Sequence, residues 1–317
     1  NVGRANATTA EEQARLEAIS KWKKQVKKKY FMSEDDAQGT LNLKPMLAKD
    51  FKKAKKVKFP ADVQPKLDGV RCITYWQDGR LIMQSRGGDP YNVPHIHAQL
   101  EDALKNHDLV LDGELYVHES ISLQTITSWV KRLQPDTARL HYVLYDITDQ
   151  RGQLDEWDRR REKLRLWFEQ SQSDLDECVE LLETHEVASA EDVKRWHDDF
   201  VQRGYEGAIV RVRDERYRFG YRSSGLLKFK QFQDAEFTIV GFTTGKGKFS
   251  EYPIFRCVTS GGKEFDVMPM GTDAERRQML IGAPQLIGGD MTVRFFDWTD
   301  DGVPHFPVGV GPRPKGV

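Results

Sequence analysis

The stretch Lys-Leu-Asp-Gly-Val-Arg at residues 66–71 places a lysine directly before a tight turn. A predicted strand, residues 61–65, precedes Lys66, and the Asp-Gly pair predicts the turn that follows it. A lysine that acts as a nucleophile must be neutral, and neighbouring cations and partial burial both favour the neutral amine. Arg71 and the basic residues downstream predict such surroundings. The alternative is a surface turn with ordinary charges, which this stretch alone leaves open.

The segments on either side alternate between apolar and polar residues, as half-buried strands do. Asp78-Gly79 lies between two such segments and predicts a hairpin. Further strands are predicted over residues 109–117, 141–147, 206–213 and 225–231, and helices over residues 155–170 and 190–203. Ser189 and Asp192 predict a capped start for the second helix, and Gly204 predicts its end. Residues 44–233 therefore predict one α+β domain.

The two ends of the chain have a different character. Residues 8–30 predict an amphipathic helix capped by Thr8 or Thr9, and residues 31–43 read as a linker, so residues 1–43 form a basic helical extension. Residues 234–317 predict short strands at 236–243, 254–259, 264–268 and 291–297, with a helix at 273–280. Mostly short strands over such a length favour a small all-β barrel of the OB type.

Composition excludes several classes of protein. Of the 317 residues 38% are hydrophobic and 31% are charged, and no apolar run is long enough for a membrane span. The three cysteines show no metal-binding or disulfide spacing, and the N-terminus lacks the apolar core of a secretory signal. We therefore expect a cytoplasmic protein. The net charge of −1 conceals lysine-rich stretches at residues 21–29 and 44–58, which permit a polyanionic partner.

Short motifs follow the lysine stretch in a fixed order. They are Ser-Arg-Gly-Gly at residues 85–88, Leu-Asp-Gly-Glu-Leu at 111–115, Tyr-Val-Leu-Tyr-Asp at 142–146, Glu-Gly-Ala-Ile-Val-Arg at 206–211 and Leu-Leu-Lys-Phe-Lys at 226–230. Each is weak alone, but together they resemble the signature of the covalent nucleotidyltransferases, which include DNA ligases, RNA ligases and mRNA capping enzymes. The resemblance covers roughly residues 44–317 and is closest to minimal ATP-dependent DNA ligases of phages and large DNA viruses.

The resemblance implies a role for each matching residue. Lys66 would carry AMP taken from ATP, Arg71 would contact the ribose, and Tyr145 would stack on the adenine. Glu206 would bind Mg²⁺ or Mn²⁺, whereas Glu114 is left between ribose, metal and the DNA end. Lys228 and Lys230, on one face of a strand, would contact the α-phosphate, where cations stabilise the charge of the transition state.

Other basic residues are predicted to contact DNA or pyrophosphate. Arg86 would bind the 5′-phosphate of a nick, and Arg313, in a tail that departs from the family pattern, would orient pyrophosphate. Lys246 and Lys248, in a Gly-Lys-Gly-Lys turn, are candidate backbone contacts. Lys23, Lys24, Lys27 and Lys28 are further candidates. Alternatively, the N-terminal helix packs on the main domain through Leu16, Ile19 and Trp22.

The leading hypothesis is a monomeric ATP-dependent DNA ligase that seals nicks in duplex DNA through a lysyl-AMP intermediate and then a DNA-adenylate. An mRNA capping guanylyltransferase shares the lysine motif and the barrel, but the segment Asp-Ala-Glu-Phe-Thr-Ile-Val-Gly-Phe at residues 234–242 resembles ligases more closely. A non-catalytic nucleic-acid-binding barrel is a third possibility. Its binding alone would not require Lys66, both glutamates and both downstream lysines.

Overall fold

The computed structural model describes residues 8–26, 43–118, 121–151, 155–173, 175–230, 232–296, 298–299 and 301–313. The chain folds as two compact units, Asn1–Phe229 and Lys230–Val317. Within the described residues, the first unit is built on two five-stranded sheets and the second on a closed barrel. This is the α+β fold with an OB-type barrel that the sequence predicts. Among the described residues, no helix is both long enough and apolar enough to cross a membrane.

The first sheet has the strand order β1-β10-β9-β2-β8, and all of its neighbours except β1 and β10 are antiparallel. Its strands are β1 (Leu47–Asp50), β2 (Ala61–Lys66), β8 (His185–Val187), β9 (Gly207–Val212) and β10 (Arg222–Phe229). The two central strands β2 and β9 bury nearly all their residues, as strands covered on both faces do. Lys66 is the last residue of β2, at the point where this buried strand ends.

The second sheet has the order β4-β3-β5-β6-β7. Its strands are β3 (Val70–Gln77), β4 (Arg80–Ser85), β5 (Leu109–Tyr116), β6 (His141–Asp149) and β7 (Val179–Leu181). The predicted hairpin is confirmed, because Gln77 pairs with Arg80 and the two turn residues, Asp78 and Gly79, have φ of 50° and 75°. Positive φ at both positions matches the twist of the flanking strands, which is why Asp-Gly suits this turn.

The helices of the first unit begin with α1 (Ala10–Val26), whose described side chains are exposed. The helices that cover the sheets are α2 (Pro94–Leu104), α3 (Leu123–Lys131), α4 (Trp157–Ser171) and α5 (Ala190–Gln202). Ile96, Leu100 and Leu104 of α2 are buried in the core of the second sheet, and Val193 and Phe200 of α5 are buried against the first sheet. Ser189 accepts a hydrogen bond from the amide of Asp192, as predicted, at 3.1 Å. Such caps satisfy amides that have no partner within the helix.

The second unit has the strand order β11-β12-β13-β15-β14 around a closed barrel. Its elements are β11 (Gln233–Thr244), β12 (Pro253–Val258), β13 (Glu264–Pro269), α6 (Asp273–Leu286), β14 (Asp290–Phe295) and β15 (Val308–Arg313). The predicted helix at residues 273–280 is present and extends to Leu286. A capping box between Thr272 and Glu275 fixes its start.

One interpretation of the sequence needs correction. The proposed packing of the N-terminal helix is wrong, because Leu16, Ile19 and Trp22 of α1 are exposed. Thr9 does cap this helix by exchanging hydrogen bonds with Glu12. Most of the predicted linker at residues 31–43 lies outside the described residues.

Candidate active site

Lys66 meets Glu206 where β2 ends beside the start of β9. Lys66 is opposite Gly207 in the strand register, and the amide of Glu206 donates to the carbonyl of Lys66 at 2.9 Å. This backbone contact brings residues 140 positions apart together, and the ammonium of Lys66 pairs with the carboxylate of Glu206. The Lys66 side chain is 20% exposed and that of Glu206 is 3% exposed. The nitrogen of Lys66 is therefore accessible, but its counter-charge is nearly buried.

Arg71 is held in a fixed position beside this pair. It donates to both oxygens of the buried Asp112, from Nε at 2.8 Å and from a terminal nitrogen at 2.5 Å, and to the carbonyl of Met46 at 2.7 Å. The hydroxyl of Tyr217 donates to the same carboxylate at 2.7 Å. A bidentate arginine–carboxylate pair fixes the plane of the guanidinium as well as its position.

Glu114 and Tyr145 form the next part of the site. Glu114 lies opposite Arg71 in the register of β3 and β5, and the hydroxyl of Tyr145 donates to its carboxylate at 3.1 Å. Burial raises the pKa of the Glu114 carboxyl to about 7, although Lys66, Arg71 and the Tyr145 hydroxyl all act to lower it. The guanidinium of Arg71 also lies 5.7 Å from the centre of the Tyr145 ring. The site thus combines two carboxylates, a lysine, an arginine and an aromatic ring.

Two motif glycines allow these strands to approach one another. A Cβ atom on Gly69 would lie 2.5 Å from the carbonyl oxygen of Leu115 and 2.8 Å from Cγ of Glu114. A Cβ atom on Gly113 would lie 2.7 Å from the Tyr142 ring and from the carbonyl oxygen of Val143. Neither position has room for a side chain. The glycines therefore keep Lys66, Glu114 and Tyr145 within one small volume.

A buried charge network supports the site, and the sequence prediction gave its members no role. Asp146 accepts from Arg160 at 2.8 Å and from Arg211 at 2.6 Å, and Arg211 also lies 4.2 Å from the ring centre of Trp157. Burial opposes ionisation of Asp146, but the two arginines outweigh it and lower the pKa of this carboxyl. The sequence does indicate such a network, because a charged residue inside an otherwise apolar strand requires an oppositely charged partner.

Arg86 and Lys228 lie at other edges of the first unit. Arg86 is exposed in the turn after β4, where the hydroxyl of Ser85 accepts from the amides of Gly87 and Asp89 at 3.1 and 3.0 Å. Lys228 is half-buried on β10 between Ile209 of β9 and Asp50 of β1 in the register. Strand β10 ends at Phe229, so Lys230 lies one residue beyond the strand on which the sequence predicted both lysines.

The remaining predicted residues belong to the second unit or are not described. The ammonium of Lys230 lies 4.2 Å from the ring centre of Phe296. Arg313 ends β15, is largely exposed and has its Nε 3.6 Å from Glu236, while Lys246 precedes a short 3-10 helix, Gly247–Phe249. Lys27 and Lys28 lie outside the described residues, as do the side chains of Lys23, Lys24 and Lys248.

The carboxylates of the site suit one kind of metal ion. In the part of the chain that the structure describes, no three His, Cys, Asp or Glu side chains form a metal-binding cluster. Glu114, on β5 of the second sheet, and Glu206, directly before β9 of the first sheet, instead provide oxygen ligands, and both interact with Lys66. Mg²⁺ typically binds through one or two carboxylates and completes its shell with phosphate oxygens and waters. These two residues fit such an ion when it arrives with a nucleotide.

Comparison with known sequences gives two adjoining matches. The family described as the ATP-dependent DNA ligase domain matches residues 45–230, and the DNA ligase OB-like domain matches residues 244–313. The DNA ligase of African swine fever virus (isolate Warthog/Namibia/Wart80/1980) is 30% identical over 333 residues, covering 99% of this chain and 78% of the relative.

Comparison with solved structures agrees. A structure from a study of Lig E DNA ligases, described as binding DNA with a minimal scaffold, is 24% identical with a TM-score of 0.69, and the match covers 85% of this chain and 99% of that one. The Chlorella virus DNA ligase-adenylate is 28% identical with a TM-score of 0.51, covering 85% of this chain and 99% of that one. The first comparison concerns the fold alone, whereas the second also supports a sequence relationship.

Proposed function

The chain belongs to the family of ATP-dependent DNA ligases, and on that premise we propose that Lys66 carries AMP from ATP to the 5′-phosphate of a nick in duplex DNA. Members of this family seal DNA in three steps, through a lysyl-AMP, a DNA-adenylate and the final phosphodiester. The observation that supports Lys66 is its pairing with Glu206 in a site that also contains Arg71, Glu114 and Tyr145.

In the first step Nζ of Lys66 attacks the α-phosphorus of ATP, a P–N bond forms, and pyrophosphate leaves. The attacking amine must first release a proton to solvent, which reaches the 20% exposed side chain, and so give up its ion pair with Glu206. Glu206 would hold a divalent cation, which would supply positive charge to the phosphate oxygens. A Glu206 carboxylate engaged in this way would hold the ammonium of Lys66 less tightly. We therefore assign Mg²⁺ or Mn²⁺ to Glu206, with Glu114 as a second oxygen ligand.

Arg71, Glu114 and Tyr145 position the nucleotide in this proposal. Tyr145 presents an aromatic ring that suits stacking against adenine, and its hydroxyl holds the Glu114 carboxylate. Arg71 is fixed by Asp112 and directs its remaining hydrogen-bonding capacity toward the ribose. Because these groups are already ordered by the strands, little side-chain freedom is lost when the nucleotide binds.

Later steps require the DNA end beside the lysyl-AMP. We assign the 5′-phosphate of the nick to the exposed Arg86, whose turn is shaped by Ser85. The oxygen of this phosphate attacks the AMP phosphorus and releases Lys66, and the 3′-hydroxyl then displaces AMP. Lys228 and Lys230 remain candidates for the α-phosphate, and Arg313 for pyrophosphate in the first step. Lys246, Lys248 and the lysines of the N-terminal helix remain candidates for the DNA backbone of a monomeric enzyme.

The decisive experiment is mass analysis of the protein after incubation with ATP and Mg²⁺. We expect an AMP adduct in the wild type and in Lys58→Ala, an exposed lysine paired with Asp214, but none in Lys66→Ala. An adduct that persists in Lys66→Ala refutes the assignment. Parallel incubation with labelled GTP addresses the capping alternative, since a GMP adduct formed in preference to AMP would replace the proposed nucleotide.

A further inference from the structure

A basic groove on the first unit includes Lys228, and the roles assigned above make no use of its other cations. It has a volume of about 790 Å³ and runs from β1, past the 3-10 helix Phe51–Lys53, to β10. Its cations are Lys49, Lys53, Lys55, Lys56, Arg222 and Lys228. One carboxylate, that of Asp50, lines it with them. The groove therefore carries a strong excess of positive charge.

Four of these cations are not neutralised by carboxylates of the described fold. Among the residues that the structure describes, Lys49, Lys53, Lys55 and Lys56 pair with no carboxylate, and all four are exposed. The carboxylate of Asp50 is engaged in capping, since it accepts from the amide of Lys52 at 2.9 Å. By contrast Lys58, slightly further along the same lysine-rich stretch, pairs with Asp214 and lies outside the groove. Uncompensated cations that line a concave surface concentrate an anionic ligand there.

The local structure keeps the groove in shape. Arg222 donates to the carbonyl of Ala48 at 2.7 Å, which ties the edge strand β1 to β10. Phe51 packs on Phe229 with ring centres 5.2 Å apart, so the 3-10 helix is anchored at its apolar side. The packing of Phe51 therefore holds in place the chain segment from which Lys53, Lys55 and Lys56 line the groove.

We propose that this groove binds the sugar–phosphate backbone of the DNA duplex, continuing outward from the phosphate that Lys228 contacts. The inference rests on the proposed ligase function. The arrangement of the cations favours DNA over the triphosphate of ATP. Six cations spread over three chain segments match the successive phosphates of a DNA strand, whereas a single nucleotide offers one compact group of phosphates. Backbone contacts of this kind are independent of sequence and release counterions.

The test compares two double variants with the same loss of charge. Lys53→Gln/Lys56→Gln removes two groove lysines, and Lys58→Gln/Lys194→Gln removes two lysines that form ion pairs outside the groove. Binding of each adenylated protein to a nicked duplex with a blocked 3′ end is measured by fluorescence anisotropy across a salt series. Transfer of AMP from ATP to the protein is measured separately.

Each lost phosphate contact lowers the slope of log K against log salt by about 0.9. For the groove variant we expect this slope to be smaller in magnitude by about 2 and the affinity for DNA at 0.1 M salt to fall by up to about 60-fold. We expect its adenylation by ATP to remain within about twofold of wild type. Equal affinities and slopes for both variants would overturn the groove assignment. Slowed adenylation with normal DNA binding would also overturn it, in favour of the triphosphate.

The test also separates this inference from the proposed function. If the wild-type protein forms no AMP adduct, the ligase proposal fails, and the two variants are still compared as unmodified proteins on the same duplex. A groove-specific change in salt slope under those conditions supports DNA binding without catalysis. If the protein forms the adduct but the slopes of the two variants are unchanged, the assignment of the groove to DNA is refuted and the ligase proposal stands.

Discussion

Replacing Asp112 by asparagine tests whether the buried carboxylate is what places Arg71 in the active site. Asp112 is fully buried and accepts two hydrogen bonds from Arg71 and one from Tyr217. Asparagine has nearly the same shape but removes the charge and turns one acceptor into a donor. That NH₂ group would face the guanidinium in either orientation, and in one of them the Tyr217 hydroxyl as well, so at least one buried donor loses its partner.

The expected loss of stability follows from these contacts. Breaking a buried ion pair by removing one partner costs about 3–5 kcal/mol. The Arg71 side chain is 20% exposed and regains some hydration, so we expect the lower end, about 3 kcal/mol. For a unit of this size that corresponds to a fall of about 6–12 °C in the midpoint of its thermal transition.

The effect on chemistry is expected to exceed the effect on stability. If Asp112 positions Arg71, a displacement of about 1 Å slows AMP transfer to Lys66 by about 100-fold in protein that is still folded. Single-turnover formation of the adduct is measured below the transition temperature, with calorimetry on the same samples. Asp62→Asn serves as the control, because Asp62 is also fully buried and accepts from Trp157 and Arg161 at 2.7 and 2.9 Å.

The two variants separate a positioning role from a purely structural one. We expect Asp62→Asn to lower the thermal midpoint by a similar amount but to leave the rate of adduct formation in folded protein nearly unchanged. Equal rates in both variants would refute the reasoning that Asp112 acts through Arg71. If Asp112→Asn has the same thermal midpoint as the wild type, the expected loss of stability from the broken ion pair is refuted.

Three further perturbations probe the same site. Tyr145→Phe keeps the ring but loses the 3.1 Å hydrogen bond to Glu114, so the rate of AMP transfer to Lys66 should fall less than about tenfold. Tyr145→Ala also loses the ring, and its rate should be about tenfold lower still. Equal rates of adduct formation in the two variants would contradict stacking. Gly113→Ala places a Cβ 2.7 Å from the Tyr142 ring and should destabilise by about 1–3 kcal/mol in calorimetry, unlike Gly241→Ala, which meets nothing within 4 Å. Because burial raises the pKa of Glu114 to about 7, the native state keeps a proton that the unfolded chain has lost. Unfolding free energy should therefore fall, relative to Glu114→Gln, as pH rises from about 5 to 8, and parallel curves would exclude this linkage.

The sequence predicted local structure best where the signal is local. The Asp78-Gly79 turn and the cap at Ser189 depend on neighbouring residues, and both are present. Helix α2 was missed although Pro94 stands at its start and Ile96, Leu100 and Leu104 recur at helical spacing. Strands β7 and β8 were missed for a different reason. Each has three residues, which is too short for an alternating pattern to be read.

The site was predicted through the order of its motifs, and the structure adds contacts that no local pattern contains. Lys66 and Glu206 meet because β2 and β9 are paired across a separation of 140 residues. Asp112 stands in an apolar strand, as Asp146 does, and the cost of burying a charge indicates that each has a partner. The identity of the partner depends on strand order and register, which are properties of the whole sheet.

The cations of the active site are held in two different ways, and this difference bears on how the first step proceeds. Arg71 is bonded to a buried carboxylate and to the carbonyl of Met46, so its position is set by the fold. Lys66 pairs with Glu206, the residue we assign to the metal ion. A Glu206 carboxylate engaged by that ion would hold Lys66 less tightly, whereas the pairing of Arg71 with Asp112 would remain. The pair that must break during catalysis therefore differs from the pairs that stabilise the unit, and this is why substitution of Asp112 is expected to cost stability as well as rate.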